Sequence, residues 1–302
     1  MWTKPWKFAE GFLIAGGLLV VGLLLQLTVG PVDWDAFRWP SSGIVLLLFL
    51  ALIAVMFALR KKIYAFEWMM HLQAGVPALA SALAMTLLMG LTAQTREGGI
   101  PWLSQMLSFW PFVLIWMWML LIVGLATLAH LARFQVREIP FILNHLGVFL
   151  AISTAVLGGA DVQQLQMTVY YDEPEWRAID IDGNTVEPGL TIELHQFTVD
   201  YYEDMTPRRF ASDISVHTGD GQSLRGTVEV NKPLKTGGWK IYQYNYDARR
   251  GSKSSYSTFL LVRDPWLPAV YTGIFMMLAG ALCLLFWMAP KPPKKEEEEE
   301  VL

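Results

Sequence analysis

The sequence predicts a membrane protein. It reads as a six-span α-helical bundle carrying an extracytoplasmic antiparallel β domain, a sandwich or an open barrel, between spans five and six. Three observations lead there. The 302 residues are 54% hydrophobic and only 17% charged, with a mean hydropathy of +0.36, whereas soluble domains carry about 25% charged residues. Six separate runs approach the roughly 20 apolar residues that a hydrocarbon core demands. One stretch of about a hundred residues then abandons apolar runs for strict alternation.

The runs are Gly11–Val29, Gly43–Leu59, Gly75–Ala93, Phe109–Leu128, Pro140–Gly158 and Leu267–Met288. The first exceeds the 7–15 apolar residues of a secretory signal and no A-x-A site follows it, so it reads as a retained span. Basic residues in short loops set orientation. Lys4, Lys7, Arg60, Lys61, Lys62, Arg133, Arg137, Lys291, Lys294 and Lys295 fall on one side, against Arg38 and Arg96 on the other. Both termini are therefore expected in the cytoplasm, with Asp161–Asp264 on the outer face.

That outer stretch holds 11 Lys/Arg and 16 Asp/Glu, net −5. Leu165–Tyr171, Leu190–Tyr201, Arg208–His217, Ser223–Val230, Trp239–Tyr246 and Ser257–Val262 read as strands rich in Val, Ile, Thr and Tyr. Asp182-Gly183-Asn184, Gly219-Asp220-Gly221 and Gly237-Gly238 supply turn chemistry between them. The expected organisation is a five-span region over 1–160, a β-rich domain over 161–264, a final span over 265–290, and a disordered charged tail over 291–302 whose glutamate run repels itself.

Several functions are excluded. The single cysteine, Cys283, rules out a disulfide framework, CxxC redox chemistry and covalent CxxCH haem attachment within this chain. A net charge of −4 gives no footprint for nucleic acid. There is no G-x-S-x-G, P-loop, HExxH or dinucleotide fingerprint, and the span cores lack the carboxylates of an ion-driven pump.

Two stretches carry a resemblance. The first is Val228-Glu229-Val230-Asn231-Lys232-Pro233-Leu234, continued by Gly238-Trp239-Lys240-Ile241-Tyr242-Gln243-Tyr244-Asn245-Tyr246. The second is Arg263-Asp264-Pro265-Trp266-Leu267-Pro268 with Tyr271, Gly273 and Gly280. Together they resemble the ResB/CcsB-like family of cytochrome c biogenesis proteins (system II). Asn144-His145-Leu146-Gly147 on span five is a weaker match. The likeness covers roughly Phe141 to Met288; the first spans match poorly. It implies a multi-pass protein of the bacterial cytoplasmic membrane, with its β domain periplasmic. It also implies work with a CcsA-like tryptophan-rich membrane protein to carry haem outward and deliver it to apocytochrome c. Any haem-attaching activity would belong to that complex. The alternative is a scaffold that binds no haem and holds the CcsA-like subunit and apocytochrome c together. An anchor for an unrelated assembly factor is a third reading.

Haem iron takes an axial nitrogen from imidazole, and an ionisable group inside a span usually has a purpose. His145 is the clearest candidate for iron. It lies about five residues into span five, some 7–8 Å deep at 1.5 Å per residue. Phe141 and Phe149 share its face at i−4 and i+4. A histidine bonded to a neighbouring helix is the plainer reading. His71, at the edge of span three, could meet haem as it enters or be an interface residue. His130 ends span four, where a cation complements the helix dipole. His195 and His217 fall in strands without metal-ligand spacing. Trp110, Trp116 and Trp118 have helical spacing and read as anchors or packing, and the 14 methionines mostly as packing. Asn231, Pro233, Gly238 and the alternating Tyr242, Gln243 and Tyr244 read as structural.

Overall fold

A computed structural model describes residues 2–95, 101–204 and 206–287. The C-terminal tail, the end of the last span at Met288 and the loop residue Arg96 lie outside the described residues.

The helices are α1 (Phe8–Thr28), α2 (Ser41–Leu59), α3 (Tyr64–Trp68), α4 (Leu72–Leu91), α5 (Pro101–Ser104), α6 (Trp110–Leu131), α7 (Ile139–Gly158) and α8 (Leu267–Trp287). Among the described residues α1, α2, α4, α6, α7 and α8 are long and apolar enough to cross a membrane. They follow the apolar runs, and α1, α2, α4 and α7 start one to three residues earlier, as at Phe8 and Leu72, because residues ahead of each run join the first turn. Contacts divide the chain into two compact units, one of helices on either side of Asp161–Pro265 and the other Asp161–Pro265 itself.

In the helical unit α6 is the central element. Ile115, Trp118, Met119, Leu120, Ile122 and Leu125 are buried against Ala15, Ile53, Met56, Ala74, Ala78 and Phe149 from its neighbours. Small residues let backbones approach where lipid gives no hydrophobic drive. A Cβ on Gly22 would lie 2.6 Å from the Pro111 backbone, and one on Gly124 would lie 2.8 Å from Ile53 Cδ1. Trp118 is 5% exposed, and the Nε1 atoms of Trp116 and Trp118 are buried with no hydrogen-bond partner. Both act as packing. Trp110 instead donates Nε1 to Gly30 O at 2.9 Å.

The β unit comprises β1 (Gln163–Tyr170), β2 (Ala178–Ile179), β3 (Thr185–Val186), β4 (Leu190–Tyr201), β5 (Pro207–Thr218), β6 (Ser223–Glu229), β7 (Leu234–Thr236), β8 (Trp239–Tyr246) and β9 (Tyr256–Arg263). They form a six-stranded sheet in the order β3-β2-β1-β9-β8-β7 and a three-stranded sheet in the order β4-β5-β6. Every strand pair is antiparallel. Alternation explains the shared core. Leu165, Met167 and Val169 of β1, with Phe259 and Leu261 of β9, meet Ile192, Leu194, Ile214 and Val216 of the smaller sheet. Gly237 and Gly238, at φ +56° and +80°, close the β7–β8 hairpin. Such positive angles are open to glycine at no steric cost.

Two signature regions make structural contacts. After β6, Glu229 and Lys232 exchange backbone hydrogen bonds across Val230-Asn231, which turns the chain into Pro233 and β7. Gln243 is 2% exposed. Its Oε1 accepts from Ser212 Oγ at 2.6 Å, its Nε2 donates to Asn245 O at 3.0 Å, and Ser212 Oγ lies 2.8 Å from Ser257 Oγ. A buried polar group is tolerated when paired in this way.

Candidate functional site

The histidine of the weaker motif sits on α7, whose start is prepared by Pro140, a residue suited to a first turn that needs no donor N–H. Phe141 and His145 are one turn apart, and their rings stack at 3.7 Å with planes 17° apart. His145 Nδ1 lies 2.9 Å from Phe141 O. A carbonyl can only accept, so the bond assigns the proton to Nδ1 and leaves the lone pair on Nε2. The ring is half-buried.

On its other face, Phe141 stacks on His130 at 3.8 Å with planes 25° apart. His130 lies in the last turn of α6, and the residues between Leu131 and Ile139 bring it back beside α7. Its Nδ1 is 2.6 Å from Glu138 Oε2, and the other carboxylate oxygen, Oε1, is 3.4 Å from Arg137 Nε. The site is therefore a three-ring stack, His130–Phe141–His145, with a tied Nδ1 at each end. His130, expected only to complement a helix dipole, belongs to it. Phe149, expected to flank His145, instead stacks on Phe49 of α2 at 6.0 Å and is buried.

The structure does not bring His71 to this group. It is the exposed N-cap residue of α4, makes no side-chain capping bond, and offers its backbone carbonyl to Ala74 and Gly75. In the β unit, His195 Nε2 is 2.7 Å from Ser215 Oγ. His217 Nδ1 is 2.6 Å from Ser223 Oγ, and its Nε2 is 3.6 Å from Glu193 Oε1. Both rings pair with neighbours on the same sheet. Among the described residues no three His, Cys, Asp or Glu side chains converge as a metal site. The cleft in the β unit, lined by Pro188, Leu190, Thr218, Asp220 and Trp239 among others, contains no histidine.

The motif residues around His145 serve the α7–α8 contact. A Cβ on Gly280 would lie 2.5 Å from Asn144 Nδ2, and one on Gly147 would lie 2.6 Å from Gly273 O. Asn144 Nδ2 donates to Pro140 O at 2.8 Å. Asn144 meets Gly280, and Ala151, further along α7, meets Gly273 nearer the start of α8, so the helices run antiparallel. The residues that resemble a known family on α7 and α8 are thus one packing surface, with His145 beside it in sequence.

Comparison with known proteins agrees with the resemblance over the α7 motif and the stretch from Val228 to Tyr246. The family model described as ResB-like matches residues 133–255. That range contains Glu138, Phe141, His145 and Gln243; His130 and α8 lie outside it. The chain is 29% identical over 116 residues to "Cytochrome c biogenesis protein CcsB" of Synechococcus elongatus, covering 35% of this chain and 24% of that protein. It is 34% identical over 77 residues to "Cytochrome c biogenesis protein CCS1, chloroplastic" of Arabidopsis thaliana, covering 24% and 14%. It is 35% identical over 57 residues to CcsB of Thermosynechococcus vestitus, covering 18% and 13%. The alignments span about a quarter or less of the length of these relatives. Over residues 133–255 this chain is similar to the ResB-like family.

Proposed function

We propose that this chain is a ResB/CcsB-like membrane subunit that acts in system II cytochrome c maturation, handling haem as cargo beside a CcsA-like partner. It lies in a bacterial cytoplasmic membrane with both termini inside. Its β unit, a two-sheet sandwich between spans five and six, stands on the outer face, where it supports delivery of haem to apocytochrome c.

One observation carries the haem reading: the Nδ1–H of His145 is committed to the Phe141 carbonyl, which leaves Nε2 as a neutral nitrogen donor. That is the donor an axial iron bond needs, and a second partner on the other ring nitrogen is what orients such ligands. Phe141 holds the imidazole by stacking, so the ring does not have to be ordered when iron arrives. His145 offers one axial donor. Completing the coordination and covering the porphyrin falls to the partner.

The test is an absorption spectrum of this chain copurified with its tryptophan-rich partner. A haem band that falls when His145 is changed to alanine is expected. Unchanged haem in the His145→Ala complex would remove His145 as a ligand.

The scaffold reading draws on a different fact. The signature glutamine, Gln243, is spent on internal bonds to Ser212 and Asn245, so much of what resembles the family maintains shape. A copurified complex that assembles but carries no haem band in any variant would favour it.

A further inference from the structure

We propose that His130 is a second iron-binding imidazole, and that His130 and His145 are two stations for the same iron porphyrin. This rests on the reading of His145 as a haem ligand and extends it. A ligating histidine characteristically gives its other ring N–H to a carboxylate or backbone carbonyl, which fixes the tautomer and raises the basicity of the donor nitrogen. Both rings do so. His130 uses Glu138 at 2.6 Å and His145 uses the Phe141 carbonyl at 2.9 Å. In the neutral form of each ring, Nε2 is the lone-pair nitrogen. Glu138 is itself steadied by Arg137 at 3.4 Å.

The stack also says how the two would share a ligand. Phe141 lies between the imidazoles at 3.8 Å and 3.7 Å, with planes inclined by 25° and 17°. The lone pair on Nε2 lies in its ring plane, so neither nitrogen aims at the other across Phe141. The two cannot clamp one iron from opposite sides. They can bind it in turn. As the bond from iron to His145 Nε2 forms, the bond to His130 Nε2 breaks. Each Nδ1–H stays with its acceptor, so no proton moves and the iron keeps its oxidation state. His130 is the next-to-last residue of α6 and His145 the seventh of α7. His130 therefore lies nearer the connecting loop, and in the proposed topology it is the first station for haem arriving from the cytoplasm.

The experiment titrates haemin into the full-length chain in nanodiscs and follows the Soret band and the low-temperature EPR signal. His145→Ala is expected to bind less haemin than the unaltered chain but to keep an imidazole-ligated species. Adding Glu138→Gln to His145→Ala should weaken that species about tenfold or more, whereas Glu138→Gln added to His130→Ala should change little. The double variant His130→Ala/His145→Ala should lose the signal. Should His130→Ala fail to assemble, His130→Asn keeps an amide donor toward Glu138 without the imidazole. If His145→Ala alone abolishes the signal and His130→Ala leaves it intact, the second station is overturned while His145 stands. If the double variant binds as the unaltered chain does, the reading of His145 falls as well.

Discussion

Gly147 on α7 and Gly273 on α8 touch backbone to backbone: a Cβ on Gly273 would lie 2.6 Å from Gly147 O and 2.6 Å from Ala151 N. Neither neighbour is a side-chain end that could swing away. Gly273→Val should therefore push the helices apart, and overpacking of this kind costs about 1–3 kcal/mol. The expected outcome is a lower yield of detergent-stable protein and a lower melting temperature. Gly16→Ala is the control, since no atom lies within 4 Å of its added carbon. Equal melting of Gly273→Val and Gly16→Ala would show that the two helices have room to spare.

The polar cluster inside the β unit makes a second prediction. Gln243→Leu removes the acceptor of Ser212 Oγ and the donor to Asn245 O, at a site only 2% exposed. Ser212 keeps Ser257, so the loss is partial. Leaving a buried polar group without its partner costs about 1–3 kcal/mol. Chemical denaturation of the full chain, followed by near-ultraviolet circular dichroism, should show that loss. A variant within a few tenths of a kcal/mol of the parent would mean that water had replaced the amide.

Much of this architecture is legible in the residues, and the exceptions share a cause. Six apolar runs suffice for the spans because a hydrocarbon core dictates their length. Alternation is clearest in β1, β4 and β8, whose buried residues fall at every second position; β5, β6 and β9 are legible from their β-branched and aromatic content and the turns that bound them. The short strands β2, β3 and β7 have two or three residues each, too few for any period to register. The ring stack escapes for another reason. Phe141 and His145 are related by one helical turn, so periodicity places them together. His130 and Phe141 are 11 residues apart on different helices, and only the path of the chain between Leu131 and Ile139 joins them. Phe149 shows the converse: its spacing from His145 is helical, but Phe49 of α2 claims its face.

Acid should act on the smaller sheet through Asp213. Arg225 donates to it at 2.6 Å and 3.2 Å, and this bonding, more than burial opposes it, holds the Asp213 carboxyl below the usual carboxylate range. A carboxylate lowered in the folded state adds stability above its unfolded value and loses it as pH falls through the folded one. The pair is partly exposed, with Arg225 at 65%, so its worth is about 0–1 kcal/mol. Asp213→Asn should lower the melting temperature slightly at pH 7, and the difference from the parent should vanish at strongly acidic pH. A gap that persists undiminished in acid would assign the effect to packing instead of charge.

Lys235 and Lys240 face each other across β7 and β8, and like charges directly opposite are destabilising. Among the described residues neither has a carboxylate within ion-pair distance. β7 is the edge of the six-stranded sheet, which suggests what the repulsion achieves. A lysine on an edge strand discourages another chain from pairing there. Lys235→Glu should convert the repulsion into an attractive cross-strand pair, raising stability by roughly 0.2–1 kcal/mol. The gain should shrink in 1 M salt, where the screening length falls to about 3 Å. Removing the edge lysine should also make the protein self-associate more readily on concentration, measured by light scattering. If stability rises without any increase in association, the lysine pair does not guard the edge. If stability does not rise at low salt, the two ammonium groups already splay far enough apart to ignore each other.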